Sequence, residues 1–203
     1  LNKYISFDIS VFNLYYNDRI GFIQKAFDDG SVKSEKGNVG NALIYGVESL
    51  IDLNINKLLQ LSENNIFNFY INSSFIKSEY IKSQRNGVEG NSVEFVPNIN
   101  IKSGVKFGFN NLISNIQFSY LSSQFTDASN AVESNLSGVI GEIPEYYILD
   151  FSSSYSYKKY KFEFGINNML NHKYFTRRAT GYPGPGIIPS SDMNLYGTLE
   201  IKI

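Results

Sequence analysis

Arg177 and Arg178 stand side by side in the stretch YFTRRATGYPGPGIIP, which runs from Tyr174 to Pro189. Two guanidiniums in one loop could clamp the carboxylates of an anionic ligand through bidentate hydrogen bonds. They could equally pair with acidic residues of neighbouring loops or with phosphate groups, since charged loop side chains commonly serve structure or solvation. The Gly-Tyr-Pro-Gly-Pro-Gly run from Gly181 to Gly186 is not a nucleotide fingerprint, because no helical pattern follows it. Proline fixes φ and glycine permits positive φ, so the run specifies tight turns and lowers the entropy of holding a long loop in one shape. The expectation is a rigid loop that presents Arg177, Arg178 and Tyr182 as a ligand-binding set.

Other chemistry is poorly supported. His172 is the only histidine and there is no cysteine, so neither a metal site nor a thiol site is expected. No Ser/His/Asp grouping and no carboxylate pair has a recognisable context, so no catalytic residue and no cofactor are assigned. Glu142 and Glu145 flank Pro144 in loop-like sequence. Lys158-Lys159 reads as a solvated turn. A formal net charge of −1 gives no long-range attraction to nucleic acid.

The elements that carry these residues read as strands. Alternation with period two dominates the 203 residues, and helical periodicity is nearly absent. From Met193, one face reads Met193, Leu195, Gly197, Leu199, Ile201; the other reads Asn194, Tyr196, Thr198, Glu200, Lys202. The pattern recurs near Ile5–Val11, Tyr45–Leu53, Phe67–Phe75, Ile99–Phe109, Ile116–Tyr120, Tyr147–Tyr155 and Tyr160–Ile166. That predicts about eight strands, most of them long enough for the ~9–11 residues that cross a bilayer at a tilt. Glu48, Asp52, Asp150, Glu163 and Glu200 fall on the polar faces. Tight connections are expected near Asn56-Lys57, Asn110-Asn111 and Lys158-Lys159, and long ones over 17–38, 78–94, 126–142 and 171–192. Short turns on one side and long loops on the other are the layout of a membrane β-barrel. Tyr15, Tyr16, Tyr70, Tyr120, Tyr146, Tyr147, Tyr157 and Tyr160 are candidates for the aromatic girdles at its two interfaces.

An open sheet edge in hydrocarbon costs several kcal/mol per unpaired backbone group, which favours a closed barrel. A barrel of ~8 strands fills its own interior with side chains. The small polar residues Ser152, Ser154, Ser156, Asn98 and Asn100 suit the wall of a wider barrel that encloses something else.

The stretches VPNINIKSGVKFGFNNL, YLSSQFTDASNAVES, GEIPEYYILDFSSSYSYKKYKFEFGINNMLNHKYF and YGTLEIKI resemble the C-terminal barrel strands of TonB-dependent outer-membrane receptors. The likeness is nearest to the ferric-citrate or siderophore type of Bacteroidetes-like bacteria. DISVFNLYYNDRIG followed by VGNALIYGVESLIDL resembles paired strands of the same family. The resemblance implies an all-β antiparallel transmembrane barrel of about 22 strands, of which residues 1–203 supply about eight. It implies an N-terminal plug and earlier strands outside this chain, which starts at Leu1 and reads as a mature segment or fragment. It further implies uptake of a metal chelate across a Gram-negative outer membrane, contact with outer-membrane lipid, and energy from a TonB complex acting through the plug region. One departure is Ile203, where the family usually ends in an aromatic residue. The runner-up reading is a soluble β-barrel or sandwich binding module, which would bury the apolar face that a membrane barrel shows to lipid. A barrel enzyme is a third reading, and only His172 could serve it.

Overall fold

A computed structural model describes residues 4–29, 31–179 and 185–203. The alternating segments form strands β1 (Ile5–Ala26), β2 (Val32–Asn54), β3 (Asn65–Lys82), β4 (Ile99–Phe109), β5 (Leu112–Leu121), β6 (Tyr146–Tyr157), β7 (Tyr160–Asn167), β8 (Phe175–Ala179), β9 (Gly186–Pro189) and β10 (Asn194–Ile201). Eight of them make one antiparallel sheet in the order β1-β2-β3-β4-β5-β6-β7-β10, and β8 pairs with β9 in a separate hairpin. The large sheet does not close on itself: β1 and β10 each have a neighbour on one side only.

Register makes the two faces continuous. Val11, Val47, Phe75 and Ile99 lie in one row across four strands. Asn68, Lys106, Asn115, Ser152, Gly165 and Tyr196 lie in a polar row across six. Glu48, Asp52, Asp150, Glu163 and Glu200 share that polar face. Among the described residues no second layer covers the apolar face: Phe7 and Ile9 are exposed and Val11 is 78% exposed. A soluble sandwich would have buried these side chains. On β3 the apolar face runs from Phe67 to Phe75, and on β6 from Tyr147 to Tyr155. At ~3.3 Å per residue and a ~40° tilt, either stretch is roughly 23 Å tall, close to the apolar band of a membrane barrel.

Hydroxyls on the apolar face find each other. Ser49 and Ser73 sit 2.7 Å apart, and Ser114 and Ser153 2.9 Å apart, each pair directly cross-strand. In hydrocarbon, where water is not available as a partner, this pairing removes the desolvation cost of a lone hydroxyl. Register sorts the aromatic candidates as well. Tyr15, Tyr120, Tyr147, Tyr157 and Tyr160 fall on the apolar face, whereas Tyr16, Tyr70 and Tyr146 fall on the polar face. Lys158 and Lys159 reach over the rings of Tyr157 and Tyr160, at 5.4 and 5.8 Å, at the short-turn end.

The polar face carries a recurring device. Tyr70 lies opposite Gly104, and Tyr196 opposite Gly165. The tip of each ring reaches over the bare glycine, so a Cβ at either position would fall inside contact distance of the ring. Tyr70 Oη then reaches Gln117 Oε1 at 3.1 Å and accepts from Asn115 Nδ2 at 3.2 Å. The glycine therefore lets one aromatic side chain brace three strands. Gly104→Ala, whose Cβ would meet both the hydrogen-bonded Tyr70 ring and the Ile116 backbone carbonyl, is expected to lower barrel stability by about 1–3 kcal/mol, the usual cost of overpacking. Gly197→Ala on the apolar face, where a Cβ meets only Glu163 O at 3.7 Å, is expected to stay within about 0.5 kcal/mol. Urea unfolding of the two variants in lipid measures the contrast.

Four connections differ from the sequence expectation. The span 78–94 starts inside β3, which continues to Lys82, so the connection is 83–98. The span 17–38 is largely not a loop: β1 and β2 continue as a two-stranded ribbon to Ala26 and from Val32. Asn17 and Asp18 fall in the expected loop, but they mark a bulge within the ribbon, with Asp18 at φ 50°. The turn near Asn56-Lys57 contains one helical turn, α1 (Ile55–Leu58), capped by Asn54 Oδ1 accepting from the Lys57 amide at 2.9 Å. The span 171–192 contains the β8–β9 hairpin. The turns at Asn110-Asn111 and Lys158-Lys159 are tight, with Asn110 and Lys158 at φ 50° and 54°.

Candidate binding face at the outer loops

Antiparallel connectivity puts the connections 83–98, 122–145 and 168–193 at one end of the sheet, with the tips of β1 and β2. The short turns lie at the other end. The first two connections fold back onto the polar face and build a small core. Val88, Val93 and Ala128 from the loops pack against Val39, Ala42 and Tyr80 of the strands, all buried.

Within that core stands a charged cluster that links three separate parts of the chain. Glu94, whose side chain is 2% exposed, forms an ion pair with Arg19 Nη1. Tyr80 Oη donates to Glu94 Oε2 at 2.6 Å and accepts from Arg19 Nη1 at 2.6 Å. Burial, then the hydrogen bond and charge of Glu94, push the Tyr80 phenol well above its ordinary value. Burial alone pulls Arg19 down, but the hydrogen bond and charge of Glu94 outweigh it and the guanidinium is raised. The Tyr80 shift has a sign. A phenol held neutral in the folded state contributes its stability fully below the unfolded value of about 10 and loses it as pH rises from there towards the folded value. Melting temperature between pH 9 and pH 12 is therefore expected to fall more steeply for the wild type than for Tyr80→Phe.

Farther along the sheet, Val139, Ile143 and Ala179 are buried where the connection 122–145 meets the hairpin. Arg178 closes this junction. Its Nη1 donates to Gly138 O at 2.7 Å, and its Nε and Nη2 both donate to Glu142 O, at 3.1 and 2.7 Å. Its Cζ lies 5.1 Å from the centre of the Phe175 ring. Burial lowers the Arg178 guanidinium from its usual value, and the carbonyls replace the water it has lost. Arg177 is exposed. Tyr182 lies outside the described residues. The two arginines are thus separated: one is sunk into a neighbouring loop and one faces solvent.

His172 sits in an aromatic stack rather than beside a nucleophile. Its ring lies 4.3 Å from Tyr147 and 6.2 Å from Tyr174, which stacks on Tyr146 at 4.7 Å. Its backbone N–H donates to Asn168 Oδ1 at 2.9 Å. Among the described residues no His, Asp and Glu side chains come together as a metal site. The cluster of Arg19, Tyr80 and Glu94 was not foreseen from the sequence. The only local sign was the polar Asn-Asp-Arg break inside the long alternating run of β1.

A polar inner face, an uncovered apolar outer band and loops gathered at one end define a sector of an outer-membrane β-barrel. The chain belongs to the TonB-dependent receptor family: the family described as "TonB dependent receptor-like, beta-barrel" matches residues 1–169. Members of this family are transporters, not enzymes. The ferric citrate transporter FecA in its unliganded form is similar in fold, with 20% identity and a TM-score of 0.79 over 98% of this chain and 29% of that one. The copper transporter OprC shares 12% identity over 99% of this chain and 29% of its own, at a TM-score of 0.72. The ferric yersiniabactin uptake receptor FyuA from Yersinia pestis shares 16% identity over 99% and 28%, at 0.71. The chain thus spans less than a third of the length of these structures. No curated protein matches the sequence.

Proposed function

We propose that the chain is the C-terminal portion of the barrel of a TonB-dependent receptor, with the plug domain and the earlier strands outside it. The whole protein takes up a metal chelate, such as a ferric siderophore or ferric citrate, across the outer membrane of a Gram-negative bacterium. A TonB complex acting through the plug region supplies the energy. The observation that carries this reading is the uncovered apolar band, which needs lipid against it. The family match and the metal-chelate transporters of the same fold point the same way.

Arg177, Arg178 and Tyr182 serve the chelate in different ways. Exposed Arg177 is the direct contact for a ligand carboxylate, Tyr182 lies in the same loop, and Arg178 holds that loop in place. Uptake of radioactive ferric citrate by cells carrying the full-length receptor tests both levels. Uptake that persists without the TonB complex would remove the receptor reading. Arg177→Ala is expected to raise the half-saturating concentration about tenfold or more, the worth of one charge-assisted hydrogen bond pair. An unchanged value would remove Arg177 from the site while leaving the receptor reading intact.

A further inference from the structure

The outer loops are connected to one another by more than proximity, and the connections form an unbroken series across the sheet. At one end, Arg19 and Tyr80 hold Glu94 of the connection 83–98 against the strand wall. That connection is joined to the next by side chains on backbone. Asn130 Oδ1 accepts from the Ser92 amide at 2.7 Å, Asn130 Nδ2 donates to Ser92 O at 2.9 Å, and Asn91 Nδ2 donates to Ala128 O at 2.8 Å. A backbone bond from Phe95 N to Phe125 O at 2.9 Å lies beside them. The connection 122–145 is in turn joined to the β8–β9 hairpin by the Arg178 guanidinium on Gly138 O and Glu142 O. Gly138, at φ +70°, approaches the hairpin so closely that a Cβ there would lie 3.4 Å from Gly186 Cα.

We propose that Arg178 is a positioning residue that couples the hairpin to the connection 122–145 and, through it, to the connection 83–98, so that the three outer connections move as one body and a displacement at the hairpin reaches the connection 83–98. The physical reason lies in the shape of the arginine head. A planar fork can satisfy two carbonyls of an adjacent loop at once, whereas an ammonium group reaches fewer of them with less orientation. Two junctions in series then carry the coupling: the Arg178 fork, and the seam of Asn91 and Asn130 side chains with the Phe95–Phe125 backbone bond.

Hydrogen exchange read by mass spectrometry on the full-length receptor in detergent tests this. Arg178→Ala is expected to speed exchange about tenfold at the amides of Gly138, Val139, Ile140 and Glu142, the effect of losing hydrogen bonds worth about one such factor. A smaller increase is expected at Ser92 and Phe95. Arg178→Lys should restore little of either. Adding Asn91→Ala and Asn130→Ala together, which leaves only the Phe95–Phe125 backbone bond across the seam, should reduce the effect of Arg178→Ala on Ser92 and Phe95 several-fold while keeping it at 138–142. A second measurement guards against misfolding: amide exchange in the strands β3 and β4 should match the wild type in every variant. Changes confined to residues 135–143, full rescue by lysine, or equally faster exchange throughout β3 and β4 would each overturn the proposal.

Discussion

Ile71→Arg is expected to lower the stability of the barrel in lipid by about 2–4 kcal/mol, the cost of a cation near the bilayer midplane on the lipid face. Ile71 lies halfway along the apolar run of β3, in register with Ile51 and, one strand further, Phe7. A guanidinium there can escape only by snorkelling past roughly two turns of the pleat on either side, which thins the membrane locally. Asn72→Arg, one residue along, is the control. Asn72 pairs with Lys102 and Leu50 on the polar face, where a further charge stays wet. Its expected cost is within about 1 kcal/mol, the repulsion from Lys102 directly opposite included. Urea titration of both variants folded into bilayers, with heat-modifiable gel mobility as a second probe, measures the gap. Equal costs would mean that the apolar face does not meet lipid, and the barrel reading would go with it.

The contrast between those neighbours also explains why the fold was legible in the sequence. A one-residue slip of register would move every apolar side chain to the wrong face, so the wall is written into the alternation itself. The rows from Val11 to Ile99 and from Asn68 to Tyr196 need no information beyond that pattern. The loop end has no such periodicity. Its determinants are single contacts between residues far apart in sequence, such as Arg19 with Glu94 and Arg178 with Gly138, and a lone sequence carries no trace of them. Arg177 and Arg178 show where closer reading was possible. Adjacent residues of an extended strand point to opposite sides, so once the hairpin is a strand pair the two guanidiniums part company. Proline and glycine mark the turn by residue type, whereas the short strands beside it carry too few alternating residues to stand out. The β1–β2 ribbon was hidden for a similar reason. Asn17 and Asp18 are turn residues by type, but here they make a bulge within a long hairpin.

Arg19→Ala is expected to release the connection 83–98 at a cost of about 3 kcal/mol, because it leaves the Glu94 carboxylate in a buried site without its cation. The partner phenol of Tyr80 can still donate one hydrogen bond, which does not replace a charge. Glu94→Ala removes the buried charge itself, so its expected cost is smaller, although it opens a cavity beside Val93 and leaves the Tyr80 hydroxyl without its acceptor. The informative variant is the double exchange Arg19→Met with Glu94→Leu. If the cluster serves mainly to satisfy its own members, apolar replacements of similar volume should recover nearly all of the stability lost in Arg19→Ala. If it also fixes where the loop docks, the double variant should melt near the wild type yet exchange its Ser92 and Phe95 amides faster, since nonpolar contacts hold position less specifically than three oriented hydrogen bonds. Thermal melting and amide exchange on the same four proteins separate the two roles. A double variant no more stable than Arg19→Ala would show that neither account is right and that the core of Val39, Ala42, Tyr80 and Val88 depends on the ion pair for its packing.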